Sequence, residues 1–306
     1  MSVFRSLLTE FKPANTNQFT FMKLKQTSTQ LSNLLSGSLP DKTFNWLEEK
    51  IELVAREKST KELFLTYSLL SSKIDKTQEV VYTTSTDLVK YLQNHDANYL
   101  EISRLYLLVK ILEIDPDFFT PKVGNIIQVA DKTELATFLR YLAVLPNAKD
   151  FKHTAVDALR TNIASVFNAI ALKNPYPGLY FSEKQWNQMY LKTAFMQGDI
   201  SQIEDVDDRA NADLARIISD YAHERWAAGR EIEPYFWRPV SNFIEGELYN
   251  DMQRLLASDN KIENKAAALC CYYSEKKEAK ELIQNHPNLK SQIENKDLNW
   301  QNLKDQ

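Results

Sequence analysis

The sequence predicts an all-α protein in which antiparallel helix pairs stack as an irregular α-solenoid. Apolar residues recur three and four apart through most of the chain, the pattern of a helix with one buried face. Only six glycines occur in 306 residues, too few for the turns that a sheet protein needs. Prolines mark the gaps between periodic stretches, and the short connections that result favour antiparallel neighbours.

In chain order the periodic stretches are 19–35, 39–58, 60–72, 85–94, 99–114, 133–145 and 151–173. In 39–58, Phe44, Leu47, Ile51, Leu53 and Val54 share a face, and Glu48, Glu49 and Lys50 lie mostly away from it. In 99–114, Leu100, Ile102, Leu105, Leu107, Leu108, Ile111 and Leu112 nearly encircle the helix, which places it between neighbours. The breaks fall at Asp115-Pro116, Thr120-Pro121, Pro146-Asn147, Asn174-Pro175, Glu233-Pro234 and His286-Pro287. Only 79–84 has a strand-like composition, and it reads equally well as a loop. The chain 1–306 is expected to form a single array with one weak candidate boundary near Pro146.

Composition bounds the partners. An apolar fraction of 43% and a charged fraction of 25% are those of a soluble globular chain. A net charge of -4, with no basic run, argues against nucleic acid. No apolar run is long enough to span a bilayer, and the start, 1–11, lacks the apolar core of a signal peptide. The neighbours Cys270 and Cys271 sit in an apolar stretch and read as small core residues of a protein in a reducing compartment. A cytoplasmic location is expected. No cofactor or metal motif is present, and His95 and His286 look like surface residues.

The segment 174–239 differs from the rest. Between Thr193 and Asn260 there is no lysine, while Arg209, Arg216, Arg225, Arg230, Arg238 and Arg254 fall there. Arginine keeps its charge when buried and offers a planar fork to carboxylates and phosphates. Trp186, Trp226 and Trp237 lie in the same segment. Ser182 and Gln185 stand as N-cap and N3 of a capping box, with Phe181 and Trp186 at the hydrophobic-staple positions. On the helix that follows, Trp186, Met189, Tyr190 and Ala194 lie together, with Asn187 at the edge of their face. A part-buried amide there needs partners, from a neighbouring loop or from a ligand.

Four carboxylates in 204–208 suggest a solvated loop ahead of a helix; their spacing is not that of an EF-hand. Asn211 then caps a helix that ends at Gly229, the expected C′ residue. Asp213, Arg216, Asp220, His223, Glu224 and Ala227 form its polar stripe. Leu214, Ile218, Tyr221, Ala222 and Trp226 form its apolar side. Arg225 falls in the middle of the apolar side, where a charge must meet a carboxylate or an anionic ligand. Asp220, His223 and Glu224 converge within a turn, so His223 is a candidate general base with Asp220 fixing its tautomer. No nucleophile elbow, Walker loop, dinucleotide fingerprint or paired-cysteine motif occurs.

Four words, Asn174-Pro-Tyr-Pro, Trp186-Asn-Gln-Met-x-Leu-Lys192, Arg209-Ala-Asn-x-x-Leu-Ala-Arg216 and the run from Asp220 to Arg230, resemble the EboA family. The resemblance implies a bacterial, mostly helical, cytoplasmic protein encoded with companions. These are a membrane prenyltransferase and several barrel-type enzymes, associated with processing a secondary metabolite and moving it toward the periplasm. It assigns no reaction and no catalytic residue.

Two functions follow as expectations. The first is a non-catalytic protein that binds a small anionic or aromatic metabolite or scaffolds companion proteins. Arg209, Arg216, Arg225 and Arg230 would then meet the anion, and Trp186, Asn187, Tyr190, Trp226 and Trp237 would line the site. The second is an acid/base enzyme using His223 with Asp220 or Glu224, which requires His223 to stand near solvent.

Overall fold

The computed structural model describes residues 26–304, and every regular element among them is helical. The stretch 79–84 carries no strand; its Val81 N–H donates to the Tyr99 hydroxyl at 3.2 Å. The expectation for 1–11, and the start of the stretch 19–35, lie outside the described residues. The chain divides into two compact units, Met1–Phe181 and Ser182–Gln306, so Pro146 lies within the first and the segment 174–239 is shared between them.

In the first unit, α1 (Thr27–Ser36), α2 (Asp41–Glu57), α3 (Thr60–Lys73), α4 (Asp87–Asn94) and α5 (Tyr99–Ile114) follow the periodic stretches closely. The nearly encircled helix α5 is the hub expected of it. It packs on α1, α2, α3, α6 (Pro116–Gly124) and α8 (Lys132–Arg140). Asp115 ends α5 and caps α6, its side chain accepting from Phe118 N–H at 3.1 Å, while Pro116 supplies the preset first turn. The short α7 (Ile126–Val129) links α6 to α8.

Two expected helices are divided. The stretch 133–145 breaks after Arg140 into a 3-10 turn, Leu142–Val144, and Leu145 is extended, as the residue before Pro146 prefers to be. The stretch 151–173 becomes α9 (Lys152–Ala158) and α10 (Ala164–Ala171). Its hydrogen bonds tighten to the i−3 pattern at Leu159, Arg160 and Thr161. The Thr161 hydroxyl then accepts from Ile163 N–H at 3.1 Å, offering the backbone an alternative to the helix. Asn174 closes the unit. Its amide donates to Leu139 and Ala169 carbonyls and accepts from Tyr176 N–H, and Tyr176 starts α11 (Tyr176–Tyr180). Thus the word Asn-Pro-Tyr-Pro is a fully bonded corner.

His95 is not a surface residue. Its ring meets Tyr91 edge-on at 4.6 Å and Tyr141 at 5.9 Å, and its Nε2 is buried without a hydrogen-bond partner. Burial, reinforced by the charges of Arg140 and Lys173, pushes its pKa from 6.5 down to about 4. The folded protein therefore holds His95 neutral, and its contribution is complete above pH 6.5 and lost as pH falls toward 4. Allowing for residual exposure, His95→Phe should lessen the loss of stability over that window by about 1–2 kcal/mol. Thermal melts of both proteins at stepped pH check this. Parallel curves would remove His95 as the cause.

The second unit comprises α12 (Glu183–Phe195), α13 (Val206–Arg209), α14 (Ala212–Ala227), α15 (Glu247–Leu256), α16 (Lys261–Tyr273), α17 (Lys277–Gln284) and α18 (Pro287–Glu294). Between α14 and α15 runs a ten-residue 3-10 segment, Pro234–Phe243, which packs on α13, α14 and α16. Such a run is unusually long for 3-10 geometry. Four of its apolar side chains, Tyr235, Phe236, Trp237 and Val240, are buried. Cys270 and Cys271 are both buried on α16; the Cys270 thiol donates to the Trp237 carbonyl, and burial pushes both thiols up.

Candidate functional site

The caps of α12 and α14 form as their sequences predict. Ser182 and Gln185 make a reciprocal capping box. Asn211 accepts from Leu214 N–H at 2.9 Å. Gly229 takes φ +64°, and the N–H groups of Gly229 and Arg230 donate to the Trp226 and Arg225 carbonyls, a Schellman closure.

Asn187 has structural partners. Its amide exchanges two hydrogen bonds with Asn211, at 3.1 and 2.9 Å, and Asn211 also donates to the Arg209 carbonyl at 3.0 Å. All four bonding positions of the Asn211 amide are thereby used. The pair ties α12 to the start of α14.

The aromatic residues form two columns. In one, Trp186 stacks on Tyr190 at 5.3 Å and Tyr190 on Phe236 at 5.6 Å, with the Arg209 guanidinium 6.0 Å from the Trp186 centroid. Trp186 and Tyr190 are fully buried, and the Tyr190 hydroxyl donates to the Tyr235 and Phe236 carbonyls. In the other, Trp237 stacks on Trp226 at 5.7 Å, and the Arg254 guanidinium lies 3.9 Å from the Trp226 centroid. Trp226 keeps part of its surface open, whereas Trp237 is sealed.

Two of the arginines expected to meet one anion, Arg216 and Arg225, have separate partners. Arg216 pairs with Asp220 at 2.8 Å on an exposed face. Arg225 donates through Nε and Nη2 to the Glu231 carbonyl, a neutral acceptor rather than a carboxylate. Its long stem crosses the apolar side and carries the charge past the helix end. Arg230 is exposed. Arg238 holds Asp207 through both oxygens, at 2.8 and 2.6 Å. Within the acidic loop, burial and then Asp205 push Glu204 up to about 7. Among the described residues, no three His, Cys, Asp or Glu side chains gather as metal ligands would.

His223 stands where α14 meets α15. Its Nε2 lies 2.6 Å from Asp251 Oδ1, and the other Asp251 oxygen accepts from the Ser219 hydroxyl at 2.6 Å. The carboxylate is thus supplied by Asp251 and not by Asp220, which Arg216 occupies. The Asp251 side chain is 3% exposed and that of His223 46%, so a buried carboxylate orients a half-exposed imidazole. Asp251 fixes Nε2 as the donor, which leaves Nδ1 of the neutral ring as an acceptor. One turn further along both helices, Arg254 covers Trp226; the His223 ring lies 5.6 Å from the same indole. No carboxylate pairs with Arg254 among the described residues.

Asp251 and Arg254 lie beyond the segment 174–239; from sequence motifs, Arg254 stands out only as one arginine of the lysine-free stretch and Asp251 not at all. The signal that could have found Asp251 is its register: it shares the apolar stripe of α15 with Leu248, Met252 and Leu255, and a carboxylate there must find a donor.

The family model described as "Metabolite traffic protein EboA" matches residues 27–241, more than half of the chain. Neither the curated proteins nor the solved structures contain a match. The matched range holds Ser219, His223 and Trp226, while Asp251 and Arg254 lie beyond it. No helix among the described residues is long and apolar enough to cross a membrane. With the quoted words placed in the fold and the match running through both units, the chain belongs to the EboA family of metabolite traffic proteins.

Proposed function

We propose that this protein is a binding protein in metabolite traffic, and that it takes a small anionic metabolite at the junction of α14 and α15. The observation that carries this reading is the exposed, carboxylate-free Arg254 guanidinium fixed 3.9 Å over Trp226, beside the oriented His223. Stacking removes much of the rotamer freedom of arginine, so a fork already in place loses little entropy when it meets an anion. The His223 Nδ1 adds a second polar contact, as acceptor for a ligand hydroxyl or, once protonated, as donor to the anion.

Benzoate, phenyl phosphate and neutral benzyl alcohol serve as probes in calorimetric titration. Benzoate or phenyl phosphate should bind and benzyl alcohol should not. Arg254→Ala should weaken anion binding by about tenfold or more, the worth of one charge-assisted contact. Arg254 is exposed, so the variant should retain its fold. Equal binding of the alcohol, or unchanged binding in Arg254→Ala, would overturn the reading.

A second reading has its own support. A half-exposed imidazole held by a buried carboxylate is the arrangement of a general base. In that reading, Asp251→Asn would depress turnover of the bound metabolite by orders of magnitude while leaving its affinity nearly unchanged. In the binding reading no turnover exists to depress.

A further inference from the structure

The first unit holds a cleft of about 270 Å³ that plays no part in the site described above. One wall is α3, through Lys61, Phe64, Leu65, Tyr67 and Ser68; the other is α7 and the turn into α8. Its surface is chiefly apolar, and two large apolar side chains stand open to solvent, Leu65 at 42% and Val129 at 60% exposure. Tyr67 and Glu134, which also line it, are held in place: the Tyr67 hydroxyl donates to the Glu134 carbonyl at 2.9 Å. The Glu134 carboxylate is already matched by the buried Arg104 at 3.4 Å.

Lys61 is therefore the one lining charge without a counter-ion. Its neighbour Glu62 is taken by Lys50 at 3.1 Å, and no carboxylate pairs with Lys61 among the described residues. An apolar cleft with a single uncompensated cation is complementary to an amphiphilic anion. The volume corresponds to about nine waters at roughly 30 Å³ each, enough for a chain of comparable heavy-atom count.

We propose that this cleft binds a small amphiphilic carboxylate, with its hydrocarbon between Phe64–Leu65 and Ile126–Val129 and its carboxylate on Lys61 Nζ. The proposal stands apart from the reading of the second unit, and a different set of side chains tests it.

Octanoate, octan-1-ol and octylamine are titrated calorimetrically into the full chain and its variants. Titrated in Arg254→Ala, which removes the anion contact proposed for the second unit, octanoate should bind with one-to-one stoichiometry, at least tenfold more tightly than octylamine. Lys61→Met should weaken octanoate at least fivefold and leave octan-1-ol unchanged. Val129→Trp should fill the mouth and abolish binding of both. Leu65→Glu, at the other exposed lining position, should repel octanoate more than the alcohol and guards against a folding artefact in any one variant. Absence of octanoate binding, equal affinity in Lys61→Met, or loss of binding in Arg254→Ala would each overturn the proposal.

Discussion

Glu134→Ala is expected to cost about 3–5 kcal/mol, the range for stranding one partner of a buried ion pair. The Arg104 side chain is 2% exposed and that of Glu134 6%. Arg104 has two other supports: its Nε donates to the Tyr67 carbonyl at 3.3 Å, and its guanidinium lies 5.1 Å from the Tyr67 ring centroid. Neither neutralises the charge, and Nη1 already lacks a partner. The substitution also dissolves the capping box of α8, in which Glu134 accepts from Asp131 N–H at 3.1 Å. Against a total stability of roughly 5–15 kcal/mol, that loss is a large fraction. Urea unfolding measures it. The companion test is Arg104→Met with Glu134→Leu, which should recover most of the loss, because an apolar pair leaves no charge to desolvate. A double variant as unstable as Glu134→Ala would show that packing, not the stranded charge, sets the cost.

Asn211→Ala should cost about 2–4 kcal/mol. Loss of an N-cap contributes about 1 kcal/mol. The remainder comes from Asn187, which would keep a buried amide with neither of its Asn211 partners, at about 1–3 kcal/mol. Asn211→Ser separates the two effects, since serine still caps α14 but cannot reciprocate the amide pair. Its cost should fall between those of the parent and Asn211→Ala. Asn187→Ala combined with Asn211→Ala should cost clearly less than the two singles added, since each single strands the other residue. Additive losses would mean that the two amides do not act together.

Local features were legible in the sequence because local chemistry decides them. Ser182 with Gln185, Asn211 and Gly229 specify helix ends through bonds that reach no more than five residues. The encircled pattern of α5 announced a helix with neighbours on most sides. What escaped was pairing at long range. His223 has Asp220 one turn before it, but Arg216 stands four residues from Asp220 and takes it. The carboxylate that orients the imidazole is 28 residues away, on a helix that only the tertiary fold brings alongside. Arg225 shows the complementary limit. Periodicity placed its Cα on the apolar side, but periodicity does not describe where a long side chain ends, and the guanidinium reaches a carbonyl beyond the cap.

The placement of the family words also divides structure from candidate function. Asn174, Asn187, Asn211 and Gly229 are accounted for by corners, pairs and caps. His223 and Trp226 are not: each keeps open surface, and each is positioned by a residue of α15. That contrast supports the proposed site at the α14–α15 junction over the buried Trp186–Tyr190–Phe236 column.

The most direct measurement is native mass spectrometry of the protein purified gently from its own cells, beside Arg254→Ala prepared identically. A small molecule of reproducible mass that carries an acidic group, present on the parent and depleted from Arg254→Ala, is the predicted result. A bare polypeptide mass in both, or an equal load on both, would contradict metabolite binding at the α14–α15 junction.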